Sequence, residues 1–258
     1  MKQMYRFFAL ILMAAVLMMG AAVGCAEEET VYRIVTDTAF RPFEYTDETG
    51  ALVGIDVDIL AAIAEDQGFQ YTLEPLGWDA SIAACQAGQA DGMIAGASIT
   101  ESRKESGWIF SDGYFTATQS MAVAESSDID TLEDPFTGLN GKAVAVKIGT
   151  LSAEYAESLM DTYGFTITYF EDSPTLYQAV IGGQCVAAFD DTPIMADNIM
   201  ANGLPMKLVA GTENEGAPYG FAVFSAEKQE LVDMFNAGLA NIKANGVYDE
   251  IIAKYMGA

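Results

Sequence analysis

Short apolar strand-like runs alternate with stretches of helical periodicity along this chain, and the alternation runs its course twice. Val31-Tyr32-Arg33-Ile34-Val35 reads as a strand ending at Asp37. Residues 56–67 then set Val57, Ile59, Leu60, Ile63 and Ala64 on one helical stripe, with Gly68 as its stop. Tyr71-Thr72-Leu73 reads as a strand, 79–87 as a short helix and 92–95 as a brief apolar strand. The pattern restarts with a strand at Ala143-Val144-Ala145-Val146, a helix over 152–163 and strands over 165–170 and 185–189. Ser173-Pro174 and Thr192-Pro193 read as N-caps followed by proline at the first helical position. Alternating strands and helices build parallel sheets with helices on their faces, so the fold class is α/β. An internal echo supports two similar units: Ala87-Gly88-Gln89 and Gly182-Gly183-Gln184 each precede a short apolar strand. Two such units would bring strand ends to one cleft, where open α/β sheets bind ligands.

Charge and composition remove whole classes of function. The chain holds 12 Lys+Arg against 37 Asp+Glu, a formal net charge of −25, and no histidine. A basic face able to neutralise phosphates cannot be assembled from so few cations, so nucleic acid is excluded as a partner. Without histidine there is no Ser-His-Asp triad, Cys-His dyad or His-ligated zinc, and three cysteines cannot close a four-cysteine zinc site. No metal or cofactor is expected. At 51% hydrophobic and 11% aromatic the chain has the makings of a packed core.

The N-terminus reads as an address. Lys2 and Arg6 precede an apolar run over residues 7–23, then Gly24-Cys25 and an acidic stretch, the pattern of a secretory signal over residues 1–24. Ala22-Val23-Gly24-Cys25 resembles the lipobox of bacterial lipoproteins, with alanine where leucine is usual. This points to lipidation at Cys25, a tether over 25–30, and placement in the periplasm or on the outer face of the cell membrane. Removing residues 1–24 takes away two basic residues and no acidic ones, leaving the chain more acidic still.

The most informative motifs are spread through both units. They are Thr36-Asp37-Thr38-Ala39-Phe40-Arg41-Pro42-Phe43-Glu44-Tyr45 with Gly54-Ile55-Asp56-Val57-Asp58, and Ala95-Gly96-Ala97-Ser98-Ile99-Thr100-Glu101-Ser102-Arg103-Lys104 with Phe110-Ser111-Asp112-Gly113-Tyr114. Val146-Lys147-Ile148-Gly149-Thr150 and Asp190-Asp191-Thr192-Pro193 follow. In this order they resemble the polar amino-acid solute-binding proteins of ABC importers, nearest to the glutamine-binding branch. The resemblance implies a two-lobed periplasmic-binding-protein-like (type II) fold with two crossover hinge strands. Lobe 1 would comprise 30–115 and 219–258, lobe 2 would comprise 119–214, and the hinges would lie near 114–118 and 215–219. It also implies a monomeric receptor, not an enzyme, that passes an amino acid to a membrane permease.

An amino acid carries a carboxylate and an ammonium on one carbon, so its receptor needs a fixed cation, an anion and polar backbone converging on one point. By resemblance Arg103 holds the α-carboxylate through its planar fork, helped by backbone at Gly96 and the Ser98 hydroxyl. Asp191 likewise takes the α-ammonium, Phe40 and Trp78 wall the side chain, and Thr150 lies where backbone amides face an anion. Lys147 and Asp37 would meet the far end of the ligand; a cation and an anion together suit an amide, which favours glutamine. Asp190 stands where glutamine binders carry histidine, and its charge leaves basic amino acids or related ligands open, in transport or in sensing. Asp190-Asp191 also admits a dehydratase-type paired carboxylate, against which adjacent strand residues face opposite sides. Cys85 and Cys185, among small or apolar neighbours and in different lobes, read as free buried thiols.

Overall fold

A computed structural model describes residues 30–257 of the chain. The signal segment, Cys25 and the tether as far as residue 29 lie outside the described residues. The chain first forms β1 (Val31–Thr36), β2 (Ala39–Phe40), β3 (Glu44–Thr46), β4 (Leu52–Val53), α1 (Ile55–Gln67) and β5 (Gln70–Pro75). There follow α2 (Trp78–Gln86), β6 (Gly92–Met93), α3 (Glu101–Glu105), β7 (Ile109–Phe110), β8 (Phe115–Ala117) and β9 (Gln119–Ala124). Then come β10 (Ala143–Lys147), α4 (Leu151–Tyr163), β11 (Thr166–Phe170), α5 (Ser173–Ile181), β12 (Ala187–Asp191), α6 (Thr192–Asn202) and β13 (Met206–Val209). The chain closes with β14 (Ala217–Tyr219), β15 (Ala222–Val223), α7 (Gln229–Asn245) and α8 (Val247–Met256).

These strands make two five-stranded sheets of one plan. The first has the order β5-β1-β6-β15-β7, the second β11-β10-β12-β9-β13. In each, three strands run parallel with the earliest in the middle, and an antiparallel strand adds beside the third. The Gly-Gln echo falls at one position in both, just ahead of the third strand. Gln89 N–H donates to Ala84 O at 2.8 Å and Gln184 N–H to Ala179 O at 2.9 Å, after glycines with φ 68° and 74°. The repeat is therefore one turn used twice.

Strand alternation assigns side chains to the two faces. On β10, Val144 and Val146 join one apolar cluster while Ala145 joins the other, and on β12 Ala187 and Phe189 separate from Ala188 in the same way. Both faces are covered by helices, so these strands read as unbroken apolar runs instead of an apolar-polar alternation. In the first sheet Ile34 faces the cluster built with α1, α7 and α8, and Val35 faces the cluster that holds Trp78 and Trp108. Helix α1 buries Ile55, Ile59, Leu60 and Ile63 and stops at Gly68, whose φ is 70°.

Between the sheets the chain crosses along β8 and returns along β14. These strands pair antiparallel, with Ala117 opposite Ala217 and Phe115 opposite Tyr219. Gly216 enters the return strand at φ 73°, and a side chain there would overlap the Ala117 carbonyl.

Several expected boundaries move. The strand expected over 185–189 runs two residues later, at Ala187–Asp191, because Cys185 still belongs to the preceding turn. The 92–95 strand pairs only at Gly92–Met93. The cap of α5 is Asp172, not Ser173: its carboxylate accepts from Thr175 N–H at 2.7 Å. Ahead of α6 the capping position is Asp191, and its side chain makes no capping bond. Cys85 and Cys185 are both free and buried.

Candidate functional site

The first and third strands of both parallel trios end at one cleft. Asp37 follows β1, Gly96 and Ser98 lie just beyond β6, Lys147 closes β10, and Asp190 and Asp191 close β12. Phe40, Trp78, Gly96, Ser98 and Arg103 line a cavity from one lobe, and Lys147, Thr150, Asp190 and Asp191 line it from the other. Asp37 stands behind Lys147 and does not line it. The space open to the centre of a water molecule is about 20 Å³, room for about one water. An amino acid therefore needs the lobes to part or the side chains to move.

Arg103 is 8% exposed. Its Nη1 donates to Ser98 O at 2.8 Å and its Nη2 to Gly149 O, across the cleft, at 3.2 Å. The guanidinium lies 5.1 Å from the ring centroids of both Trp78 and Trp108. This is a cation held over two indoles, with donors left over for a carboxylate. A surface arginine paired with a neighbouring glutamate would look different, and here Lys104, not Arg103, pairs with Glu101.

Asp191 gathers three donors: Gln119 Nε2 at 2.6 Å, Ser152 Oγ at 3.0 Å and the Tyr219 hydroxyl. Burial, and then the charge of Asp190, push its pKa up to about 6. Asp190 accepts from the Tyr177 hydroxyl at 2.7 Å and from Asp191 N–H at 2.9 Å. Burial raises its pKa as well, against the opposing pull of Tyr177, Ser173 and Lys147. As expected of strand neighbours they point to opposite sides, Asp190 to Tyr177 of α5 and Asp191 to Ser152 of α4, yet both border the cavity, which lies off the end of β12. The strand ends at Asp191 and α6 begins at once. The side chain that could have capped α6 turns into the cleft instead.

Lys147 is 1% exposed and forms an ion pair with Asp37 across the lobes. Its Nζ lies 5.0 Å from the Phe40 ring and 5.7 Å from that of Trp78. Thr150 caps α4, accepting from Ala153 N–H at 3.2 Å and donating to Lys147 O at 2.7 Å. The Gly96 N–H is already committed to Asp56 at 2.9 Å and Tyr114 at 3.2 Å, so what Gly96 offers a ligand is its carbonyl.

Ser152, Gln119 and Tyr219 were not among the expected site residues, yet all three hold Asp191. A hydroxyl on the first turn after Gly149-Thr150 was a usable sign for Ser152; Gln119 opens β9 just past the outgoing crossover and Tyr219 closes the returning one, a relation with no local mark. Among the described residues no three His, Cys, Asp or Glu side chains gather to hold a metal ion.

The model of a family described as bacterial extracellular solute-binding proteins, family 3, matches residues 32–258. A probable histidine-binding protein of Neisseria gonorrhoeae is 30% identical over 236 residues, which is 91% of this chain and 86% of that protein. An ancestral arginine-binding protein, solved with glutamine and with arginine bound, is 33% identical over 88% of this chain and 98% of its own, with a TM-score of 0.80. The second substrate binding domain of GlnP from Lactococcus lactis, solved in an open conformation, is 35% identical over 90% and 97%, with a TM-score of 0.62. At similar identity the ligand-bound pair superposes better than the open one, in keeping with the contacts that here cross the cleft. These relatives do not single out a glutamine branch.

Proposed function

The chain belongs to the bacterial extracellular solute-binding proteins of family 3, and from that membership we propose that it captures a polar L-amino acid between its two lobes, glutamine first, for delivery to an ABC-type permease. The observation that carries the ligand assignment is the buried Lys147–Asp37 pair beside the Phe40 and Trp78 rings. Lys147 lines the cavity and offers an amide oxygen a donor, and Asp37 behind it comes within reach as an acceptor once the side chains move to admit the ligand. A cationic ligand head would meet the Lys147 ammonium in a site of low dielectric. Arg103 takes the α-carboxylate, while Asp191 and the Gly96 carbonyl take the α-ammonium. Binding closes the lobes about β8 and β14, a type of motion long attributed to this class of receptor.

A second reading rests on Asp190. Once Arg103 and Asp191 have met the α-groups and Lys147 has met Asp37, Asp190 is a buried acid at the cavity without a cationic partner. A Lys, Arg or His side chain would balance it, and the named ligands of relatives agree with that. Neither reading involves turnover.

Calorimetric titration with all twenty amino acids, with Arg103→Ala as control, tests both. Tight glutamine binding, lost in the variant, supports the first reading; tight binding of a basic amino acid with glutamine weak supports the second. Consumption of an added amino acid would overturn both in favour of an enzyme.

A further inference from the structure

Beneath the cavity lies a second pair of acids, which no ligand contact explains. Glu44 on β3 and Asp56 on α1 are both fully buried. Asp56 Oδ2 accepts from Gly96 N–H at 2.9 Å and from the Tyr114 hydroxyl at 2.8 Å. Neither Glu44 oxygen, nor Asp56 Oδ1, meets any N–H or O–H donor. Asp56 N–H donates to Phe43 O at 2.9 Å, which sets Asp56 beside the strand residue next to Glu44, so the unpartnered oxygens belong to two neighbouring buried acids. Two carboxylates cannot satisfy one another, whereas a carboxylic acid can donate to a carboxylate. Glu44 sits directly across the ribbon from Phe40, and Phe40 packs so closely on Gly96 that any side chain at 96 would overlap it. The pair thus underlies two elements of the cavity wall and, through Tyr114, the start of the crossover.

We propose that Glu44 and Asp56 share one proton, carried by Glu44 and donated to Asp56 Oδ1, and that this proton fixes the Gly96 amide and the Tyr114 hydroxyl. The two acids are then positioning residues for the cavity floor. Asp56 is the basic partner because it already receives two hydrogen bonds, which favour its ionised form, whereas Glu44 receives none. Loss of the proton leaves two carboxylates opposed in a dry site, and the floor must shift to admit water. Burial is the main cause holding the Glu44 carboxyl protonated well above the usual range, followed by the charges of Asp56 and Asp37; the Lys147 ammonium opposes them. Tyr114 faces Asp56 as a donor, and burial first, then Asp56 and Glu44, raise its own pKa.

The sign follows from linkage. The folded protein holds a proton that the unfolded chain releases in the ordinary carboxylate range, so the contribution is complete below that range and is lost as pH rises through the folded value. The test compares thermal unfolding of the ligand-free protein with that of Glu44→Gln from pH 5 to 9. The glutamine amide donates to Asp56 without a titrating proton. Relative to E44Q, the wild type is expected to lose about tenfold in folding equilibrium per pH unit until the pair ionises. Asp56→Asn, which donates to Glu44 in turn, is expected to flatten the profile in the same way. Parallel profiles for wild type and E44Q overturn the proposal. So does a ¹³C carboxyl titration placing Glu44 in the ordinary glutamate range, a measurement that needs no variant to fold. The link to the cavity rests on the ligand reading above and is read separately, by L-glutamine affinity between pH 7 and 9, falling in wild type and flat in E44Q. Glutamine silent at every pH would sink the ligand reading while the unfolding comparison still decides the proton.

Discussion

Arg41 and Asp197 join the lobes outside the cavity, and breaking them tests whether closure sets affinity. Arg41 follows β2, Asp197 lies on α6, and Nε to Oδ2 is 2.6 Å. Their side chains are 34% and 17% exposed, so solvent screens the pair, and it is worth about 1 kcal/mol as a charge-assisted bond at a partly wet site. That changes the closed-to-open ratio about fivefold, and apparent affinity follows the fraction able to close. The cleaner variant is Asp197→Ala, because Arg41 stays stacked 4.5 Å over the Tyr45 ring. Stopped-flow binding of the preferred amino acid is expected to show dissociation faster by about fivefold with association little changed. Adding Arg41→Ala on top should cost little more, giving a coupling energy of about 1 kcal/mol that shrinks in high salt. Additive losses, or a change confined to the association rate, would refute the reasoning.

Three further outcomes follow from the site. Lys147→Met removes the amide donor and the repulsion of cations together; calorimetry is expected to show glutamine weakened by about 2 kcal/mol, roughly thirtyfold, and arginine or lysine strengthened. Asp191 must be ionised to hold an ammonium, and burial has pushed its pKa up to about 6. In E44Q, which has no Glu44 proton to lose on the alkaline side, affinity is therefore expected to be level above pH 7 and to fall by up to about tenfold per unit below pH 6, with an unchanged affinity at pH 5 counting against Asp191 as the acceptor. Cys85 and Cys185 are buried, and burial pushes the Cys85 thiol up to about 12; a thiol reagent is expected to label neither until denaturant is added, and rapid labelling in the native state would contradict the burial.

The α/β class, the helix stop at Gly68 and the cleft residues Arg103 and Asp191 were all legible in the sequence, because each rests on local pattern or on a motif. Strand ends were less so: Cys185-Val186 is as apolar as the strand it precedes, and only the turn hydrogen bonds to Ala179 keep Cys185 out of the ladder. That Asp190 and Asp191, on opposite sides of β12, both reach the cavity was hidden because it depends on where the strand ends against the other lobe. Glu44 gave no sign either. Its partner Asp56 is twelve residues on and on another element, and a polar residue in a short strand ordinarily signals solvent.

Both tryptophans of the chain stand at the closure point. Trp78 Nε1 donates to Gly149 O of the opposite lobe at 3.2 Å, and Trp108 lies tilted behind it with ring centroids 6.3 Å apart and Arg103 alongside. Parting the lobes would break that bond and wet one indole face, with the other ring still shielded. The protein therefore carries its own optical gauge: tryptophan emission, free of any added label, is set to shift and brighten or dim with each opening, and ligand exchange can be followed in real time on the unmodified chain.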